Sequence, residues 1–332
     1  MKKHLSSILK FAISLGIGIA LVYWSLSKIT TEQKQQIYQS FKEAKYNWLY
    51  VLIFFGLASN FFRAQRWRLL LKPLGYFPGY WNTFFAVMIM FFANLAFPRL
   101  GEVMRCTILY KYEKVPVEKS LGTMVLERII DLVCILLIGL IIVIIDYDRF
   151  YNFLYDNLLS KINPTKYLII LAVFFAIAAI GYYIIRKKGI DKKQNLFFDK
   201  LKGLIQGIVS IKDLENKWEF IFHTIAIWAC YILMPYFGFK ALSETAELGL
   251  MPSTASVFFG GFAMVATQGG IGAYQIVVQK VLALYNISDV AGFSYGWLSW
   301  SVQTFFVIIG GILSLISLAI INKNSEKSTE VN

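Results

Sequence analysis

The sequence predicts an all-α polytopic membrane protein, with about six full spans and two re-entrant or broken helical hairpins in an inverted-topology repeat. Composition gives the first indication: of 332 residues, 57% are hydrophobic and 16% are charged, and the mean hydropathy is +0.58. Apolar runs also recur at the length of about 20 residues that a helix needs to cross a bilayer. Finally, two of these runs are interrupted by proline, glycine or charged residues.

Six uninterrupted apolar runs give the full spans. We place these spans at 8–26, 48–62, 121–145, 167–185, 220–239 and 293–321. The first run is as long as a full span, so we expect a retained helix rather than a cleaved signal peptide. Apolar residues at helical spacing predict two further helices on the membrane surface, within 31–48 and 201–209.

The net charge of +13 comes mostly from Lys and Arg in loops beside the apolar runs. Basic loops stay on the cytoplasmic side, so this distribution sets the orientation and does not predict a nucleic-acid partner. It places both termini in the cytoplasm, with a polar tail at 323–332. Arg63, Arg66 and Arg68 follow the second span, and we interpret them as an ordinary positive end of a cytoplasmic loop, with attraction of anionic headgroups as an open alternative.

The first interrupted run ends in NLAFPRLGEVMR, residues 94–105. Pro98 ends the incoming helix, and Gly101 allows a tight turn. Residues 100–112 are long enough, as a helix, for about half of the hydrocarbon thickness. Irregular backbone at membrane depth is tolerated only where protein or a water-filled cavity satisfies it. We therefore predict that this break lines an internal polar site.

The second interrupted run contains TQGGIGAYQ, residues 267–275, and it aligns with the first at a fixed offset. Gly272 and Gly101 are 272 − 101 = 171 residues apart. The same offset places 81–97 over 252–268, 48–62 over 219–233 and 126–142 over 297–313. The alternative is that the alignment reflects only the apolar composition that all membrane helices share, and not a repeat.

The shared offset predicts a single membrane domain at 1–322, built from repeat one at about 48–148 and repeat two at about 219–320. The loop charges orient the two repeats oppositely across the membrane. Inverted repeats with interrupted helices are typical of secondary transporters, whose site lies near the midplane at the repeat interface.

Charged and polar residues beside the two breaks are the candidate substrate-binding residues. Charges inside a membrane are costly, face the bundle interior and have partners. We expect Arg99 or Arg105 to pair with Glu127 or Asp131, and we expect the helix N-terminus after Pro98 to attract an anion such as phosphate. The full candidate set is Asn94, Arg99, Gly101, Glu102, Arg105, Glu127, Arg128, Asp131, Gln268, Gly269, Gly270, Gly272 and Gln275.

Two alternatives limit these assignments. The ERIID stretch could be an ordinary cytoplasmic helix end, and a glycine-rich stretch also serves helix packing. The sequence offers few residues for a metal site or for nucleophilic catalysis, because His4 and His223 are the only histidines and the three cysteines lack metal-ligand spacing. We therefore predict no catalytic residue, no metal and no cofactor.

Four stretches in order, RAQRWRLLL, NLAFPRLGEVMR, LERIID and GGFAMVATQGGIGAYQ, carry a resemblance that covers roughly residues 5–321. The chain resembles the lysylphosphatidylglycerol synthase transmembrane-region family, which are flippase-like integral membrane proteins. The resemblance implies a membrane region that moves an aminoacylated phospholipid between leaflets, while a separate soluble domain makes that lipid. No such C-terminal domain is expected in these 332 residues, so a separate lipid-modifying enzyme is the implied partner.

The family pattern is matched at both breaks and in ERIID, with two departures. Thr267–Gln268 stands where Pro often precedes the double Gly, and Gln275 stands where an acid is common. The second departure lowers the negative charge of the site and disfavours a cationic headgroup. The matching residues are Pro98, Arg99, Gly101, Glu102, Arg105, Glu127, Arg128, Asp131, Gly269, Gly270 and Gly272.

These observations predict a non-enzymatic translocator of a phosphate-bearing lipid or lipid-linked headgroup in the bacterial cytoplasmic (inner) membrane. One alternative is a membrane glycosyltransferase that uses a polyprenyl-phosphate sugar, with Asp146 and Asp148 as the acidic pair. The other is a small-solute or ion transporter that uses Glu127 and Asp131. The lipid, the direction of transport and the oligomeric state are left open.

Overall fold

The computed structural model is helical throughout the part that it describes, and that part contains no strand. The described residues are 16, 18–27, 29–97, 100–149, 151, 155 and 210–323. Ten helices are labelled here: α1 Gly18–Ser27, α2 Thr31–Lys42, α3 Asn47–Leu71, α4 Tyr80–Ala96, α5 Leu100–Glu113, α6 Val117–Ile145, α7 Lys217–Phe239, α8 Leu250–Ala266, α9 Ala273–Ala283 and α10 Asp289–Ile321.

The chain is an all-α polytopic membrane protein, as predicted. Within the described ranges, α6, α7 and α10 are long and apolar enough to cross a bilayer, and α1, α4 and α8 are shorter apolar helices. Some predicted elements lie outside the described residues. These are the first part of the first span (residues 8–15, and residue 17), the span at 167–185, the surface helix at 201–209 and the tail after residue 323.

The chain divides into two compact units, Met1–Gly139 with Leu201–Asn332, and Leu140–Lys200. The described part of the second unit holds the end of α6 and an aromatic column. Tyr147 stacks on Tyr151 at 5.3 Å between ring centroids, and Tyr151 stacks on Tyr155 at 5.9 Å. The first unit carries the features analysed below.

Helix α2 forms where the first loop was predicted to be amphipathic. Thr30 and Gln33 make a reciprocal capping box at its start, with bonds of 3.2 and 3.0 Å. Near its end the Ser40 hydroxyl donates to Glu244 at 2.8 Å, which ties α2 to the loop that follows α7. Its position on a membrane surface stays a prediction.

The prediction that Arg63, Arg66 and Arg68 form the end of a loop is wrong, because all three lie within helix α3. The span was predicted to stop near residue 62, but the helix continues through RAQRWRLLL to Leu71. Arg63 and Arg66 are buried, and so is Trp67, which follows Arg66 in the helix. The helix continues because these guanidinium groups find buried acidic partners instead of water.

Each interrupted run forms a helical hairpin. In the first, the end of α4 meets the start of α5, because Gly101 lies against Met90 and Asn94. The other ends also meet, since Asn82 Nδ2 donates to Glu113 Oε1 at 2.6 Å. Helix α5 has 14 residues and so spans about 21 Å, which is less than the hydrocarbon core.

Helices α8 and α9 form the second hairpin. Its break is a short 3₁₀ turn at Gln268–Gly270, followed by Gly272 at the start of α9. Adding 171 to the bounds of α3 to α6 gives 218–242, 251–267, 271–284 and 288–316. Those ranges coincide with α7 to α10 to within five residues at every end.

The repeats pack in opposite directions. Trp48 and Phe55, in the first half of α3, stack on Phe237 near the end of α7, at 5.8 and 5.4 Å. Phe62, later in α3, meets Phe222 near the start of α7 at 5.9 Å. Helix α3 therefore runs antiparallel to its counterpart α7, which an inverted repeat requires.

A second pair of contacts follows the same symmetry. Met88 of α4 packs on Gly310 of α10, and Phe258 of α8 packs on Gly139 of α6. An offset of 171 turns Gly139 into 310 and Phe258 into 87, one residue from Met88. Each hairpin therefore packs on the last helix of the other repeat, while the orientation across the bilayer stays a prediction.

Candidate functional site

A cluster of charged side chains is buried between α3, α5 and α6. Helix α3 supplies Arg63 and Arg66, which lie three residues apart and so share a face. Helix α5 supplies Arg105, one turn after Gly101. Helix α6 supplies Glu127 and Asp131, four residues apart and nearly three turns into the helix. The side chains of Arg66, Arg105 and Glu127 are 0% exposed.

The carboxylates join the three helices. Glu127 pairs with Arg105 through Oε2 and lies 3.6 Å from Arg66 Nη2 through Oε1. Asp131 accepts from Arg66 at 2.8 Å and from Arg63 at 3.2 Å. Arg105 with Glu127 is one of the predicted pairings between Arg99 or Arg105 and Glu127 or Asp131, and it is present. ERIID is not a helix end, because it begins ten residues into α6 and Glu127 is buried.

Two of the most buried members, Arg63 and Arg66, were missed as site residues. The positive-inside rule accounted for them without a partner, although their three-residue spacing next to Trp67 was a usable signal. Arg128 was included in the site, but its side chain is 46% exposed and its Nη2 lies 3.5 Å from Asp131. It therefore lies at the edge of the cluster.

The cluster carries more positive than negative charge. Four guanidinium groups, those of Arg63, Arg66, Arg105 and Arg128, meet two carboxylates, which leaves a surplus of two positive charges. Several buried donors lack a hydrogen-bond partner among the residues that the structure describes. These are Nε of Arg63, Nε and Nη1 of Arg66, and Nε and Nη1 of Arg105.

Aromatic rings complete the surroundings of the arginines. The Arg105 guanidinium lies over the Trp67 ring at 4.3 Å, and the Trp67 indole donates to the Thr123 hydroxyl at 2.9 Å. Arg63 lies 5.9 Å from the Phe91 ring and donates to the Tyr231 hydroxyl at 3.0 Å. The Tyr231 contact links the cluster in repeat one to α7 in repeat two.

Two cavities adjoin Tyr231 at the interface of the repeats. One is about 170 Å³, the other is about 100 Å³, and both are lined by Tyr231, Met234 and Gln303. Asn60 lines the smaller cavity, and Ser256 lines the larger one. Every described residue that lines the two cavities is uncharged. An uncharged chamber, defined here as these two cavities together, therefore lies beside a positively charged cluster.

The breaks of the two hairpins, called their tips here, contact each other, and side chains there hydrogen-bond the backbone carbonyl groups that the breaks leave free. Gln268 Nε2 donates to the carbonyl oxygens of Asn94 and Leu95 at 3.0 and 2.7 Å, where α4 ends. The Trp300 indole donates to the carbonyl of Gly269 at 2.7 Å. Gln268 thus supplies the donors that the last carbonyls of a broken helix lack.

The start of α5 is less open to an anion than predicted. The backbone N–H of Gly101 donates to Asn94 Oδ1 at 2.9 Å, so one of its free donors is already satisfied within the chain. Gly101 is helical rather than a turn residue, and a Cβ there would meet the Met90 carbonyl. The tight-turn role predicted for Gly101 is therefore wrong, and its small size serves the close approach of α4 and α5.

The glycines of the second tip do have the turn role. Gly269, Gly270 and Gly272 have φ values of 60°, 75° and 77°, a left-handed region that other residues rarely adopt. Backbone freedom is thus needed in repeat two, whereas repeat one needs only the absence of a side chain at Gly101.

Among the described residues, the other predicted site residues form no ion pair or side-chain hydrogen bond with the cluster. Arg99, like Pro98, lies outside the described residues. Glu102 has a buried Oε2 that no described residue hydrogen-bonds. Gln275 is 1% exposed, and neither of its amide atoms has a partner in the described part of the chain. In the described ranges, no group of three or more His, Cys, Asp or Glu side chains is placed to hold a metal.

The charged cluster belongs to repeat one alone. An offset of 171 from Arg66, Arg105 and Glu127 leads to Phe237, Ile276 and Leu298. The same offset from Asp131 leads to Val302. The second repeat thus has apolar residues wherever the first has its buried ions, and the backbone symmetry does not extend to the charges.

Comparison with known proteins agrees with this architecture. The chain is 26% identical over 289 residues to the UPF0104 membrane protein MJ1595 of Methanocaldococcus jannaschii, which covers 80% of this chain and 82% of that one. It is 25% identical over 226 residues to the UPF0104 membrane protein MJ1078 of the same organism, covering 68% and 92%. No solved structure is significantly similar. Residues 7–311 match the family described as the lysylphosphatidylglycerol synthase TM region, and the chain belongs to that family.

Proposed function

We propose that this membrane protein moves a phosphate-bearing lipid or lipid-linked headgroup between leaflets, without making or breaking a covalent bond. The observation that carries the proposal is a surplus of positive charge beside an uncharged chamber: the three buried guanidinium groups of Arg63, Arg66 and Arg105 face only two carboxylates. A buried charge without a counter-charge is costly. An anion in the chamber would offset that surplus.

Phosphate suits the free groups of the cluster. The unpartnered donors are guanidinium N–H groups, and arginine binds phosphate oxygens through paired, charge-assisted hydrogen bonds. Arg63 lies nearest to the chamber, because it donates to Tyr231 and faces Phe91, which both line it. Arg63 is therefore the proposed first contact for a headgroup phosphate.

The arrangement of the helices supports translocation. Two oppositely directed repeats with broken hairpins can rock against each other and expose a central site to either side in turn. The chamber lies between α3, α7, α8 and α10, where such a movement would open it. In a bacterium the protein would act in the cytoplasmic membrane with both termini inside, next to a separate lipid-modifying enzyme.

The alternatives gain less support from these contacts. A proton- or sodium-coupled transporter needs a carboxylate that is free to bind its ion, and both Glu127 and Asp131 already face guanidinium groups. The acidic pair proposed for a glycosyltransferase includes Asp146, which lies 3.7 Å from Arg149 at the end of α6. Neither arrangement favours those chemistries.

The test is leaflet exchange in proteoliposomes that contain fluorescent phosphatidylglycerol, read by quenching the outer leaflet with dithionite. We expect exchange well above that of protein-free vesicles, and at least a tenfold lower rate in Arg63→Gln. The matched control is Arg68→Gln, because Arg68 bonds Pro78 and Gln65 outside the cluster. Exchange no faster than in protein-free vesicles, or an unchanged rate in Arg63→Gln, would contradict the proposal.

A further inference from the structure

The chamber beside the cluster has a lining that selects among headgroups. Its polar side chains are amides and hydroxyls: Asn60, Gln303, Ser59, Ser256, Ser299, Tyr231 and Tyr274. Amides and hydroxyls both donate and accept hydrogen bonds, so they match the hydroxyl groups of a polyol. Aromatic rings, including Phe91 and Phe306, give the chamber apolar faces as well.

The chamber offers no counter-charge to a cation. None of the described residues that line either cavity carries a carboxylate. Asp131 is linked to the chamber through Arg63, which donates to Tyr231, and Asp131 already accepts from Arg63 and Arg66. Glu102 has a free buried oxygen, but it does not line the chamber. A headgroup amine would therefore enter without an acidic partner.

The arginines also disfavour a second cation at the aromatic rings. An ammonium group can bind over the face of an aromatic ring. At this site, however, Arg63 already lies against Phe91 and donates to Tyr231. An ammonium group at the same rings would be repelled by that guanidinium and by the surplus charge behind it.

The size of the chamber limits the ligand. The two cavities have volumes of about 170 and 100 Å³. Pockets for small organic ligands begin at about 300 Å³. The chamber therefore fits one small polar group, such as a glycerol or a single sugar, and is too small for an oligosaccharide.

From these observations we infer that the translocated headgroup is a phosphodiester of a small neutral polyol, anionic overall, and that cationic aminoacylated headgroups are disfavoured. The inference rests on the proposed function, because it assumes that a lipid headgroup enters the chamber. Arg63 would meet the phosphate, and Asn60 with Gln303 would hydrogen-bond the hydroxyl groups.

The experiment compares two fluorescent lipids in separate proteoliposomes: phosphatidylglycerol, an anionic diol, and its lysyl ester, which carries a net positive charge. We expect phosphatidylglycerol to exchange at least tenfold faster than the lysyl ester. If the lysyl ester is as fast or faster, the inference is wrong while the proposed function stands. If neither lipid exchanges faster than in protein-free vesicles, the proposed function fails and the inference fails with it.

A charge placed in the chamber tests the cause of the selectivity. Gln303→Glu adds the missing carboxylate, so we expect the rate ratio of phosphatidylglycerol to lysyl ester to fall at least tenfold. Asn60→Asp, on another helix, serves as a second variant should the first not fold. Gln65→Glu is the matched control, because Gln65 bonds Arg68 away from the chamber. An unchanged ratio in a folded Gln303→Glu or Asn60→Asp protein would overturn the inference.

Discussion

Glu127 is the fully buried carboxylate of the cluster, and its two oxygens face Arg105 and Arg66 on different helices. Glu127→Gln keeps the shape of the side chain and removes its charge. Two fully buried guanidinium groups would then lose a counter-ion, which costs about 3–5 kcal/mol in comparable buried pairs. We expect the free energy of unfolding, measured by equilibrium unfolding in mixed micelles, to fall by that amount.

The matched control for this prediction is Glu219→Gln, the same chemical change at another helix. Glu219 is 47% exposed and has His223 as its ionic neighbour at 3.6 Å. Exposed pairs contribute at most about 1 kcal/mol, so the control should unfold close to the wild type. A Glu127→Gln protein as stable as Glu219→Gln would show that the cluster is not held by its charges.

Individual residues show where sequence reasoning succeeds. The cost of charge in a membrane was enough to predict that Arg99 or Arg105 would pair with Glu127 or Asp131, and Arg105 does pair with Glu127. The same principle applies to Arg63 and Arg66, but loop orientation explained them equally well, and a sequence does not distinguish a snorkelling arginine from a buried one. Arg128 shows the reverse error, because Glu127 next to it is buried while the Arg128 side chain is 46% exposed.

Among the elements, the hairpin of α4 and α5 depends on one close backbone approach. Gly101→Ala would place a Cβ against the Met90 carbonyl and 2.8 Å from Asn94 Oδ1. One of the helices must shift, and overpacking of this kind costs about 1–3 kcal/mol. We expect the unfolding free energy in mixed micelles to fall by that amount.

Gly249→Ala is the control for the hairpin prediction. Gly249 precedes α8 with a φ of −88°, and a Cβ there meets no atom within 4 Å. The added methyl group should therefore leave stability nearly unchanged. Equal stability of the two alanine variants would argue against the tight packing of α4 on α5.

The bounds of the apolar helices were the best-predicted features of the fold. Apolar length and a fixed offset of 171 residues reflect the thickness of the bilayer and a repeated architecture, so α4, α5 and α8 lie within two residues of their predicted ends. The end of α3 was missed by nine residues. Its last turns are charged, and only tertiary partners on α5 and α6 make those turns part of the interior.

At the scale of the whole molecule, near-symmetric helices carry an asymmetric site. Helices α3 and α7 run antiparallel, and each hairpin packs on the last helix of the other repeat. The buried ions, however, have apolar counterparts in repeat two, such as Leu298 for Glu127. A rocking movement would therefore carry the charged cluster with repeat one, while the uncharged side of the chamber moves with repeat two.

The opposite orientation of the repeats can be tested at two equivalent loops. Phe77 precedes α4 and Glu247 precedes α8, and both side chains are exposed. An offset of 171 takes 77 to 248, one residue from Glu247. Single cysteines would be placed at these positions after Cys106, Cys134 and Cys230 are replaced by alanine. We expect an impermeant thiol reagent to label Phe77→Cys only in inside-out vesicles and Glu247→Cys only in right-side-out vesicles.

This result follows because inverted repeats place equivalent loops on opposite sides of the membrane, and the basic residues near Phe77 put that loop inside. Two checks make the labelling interpretable: both cysteines should react fully in detergent, and the cysteine-free protein should not react. Labelling of both loops from one side would mean that the repeats are parallel in the bilayer. It would also remove the rocking mechanism, because a parallel pair cannot expose the chamber to the two sides by exchanging the roles of its halves.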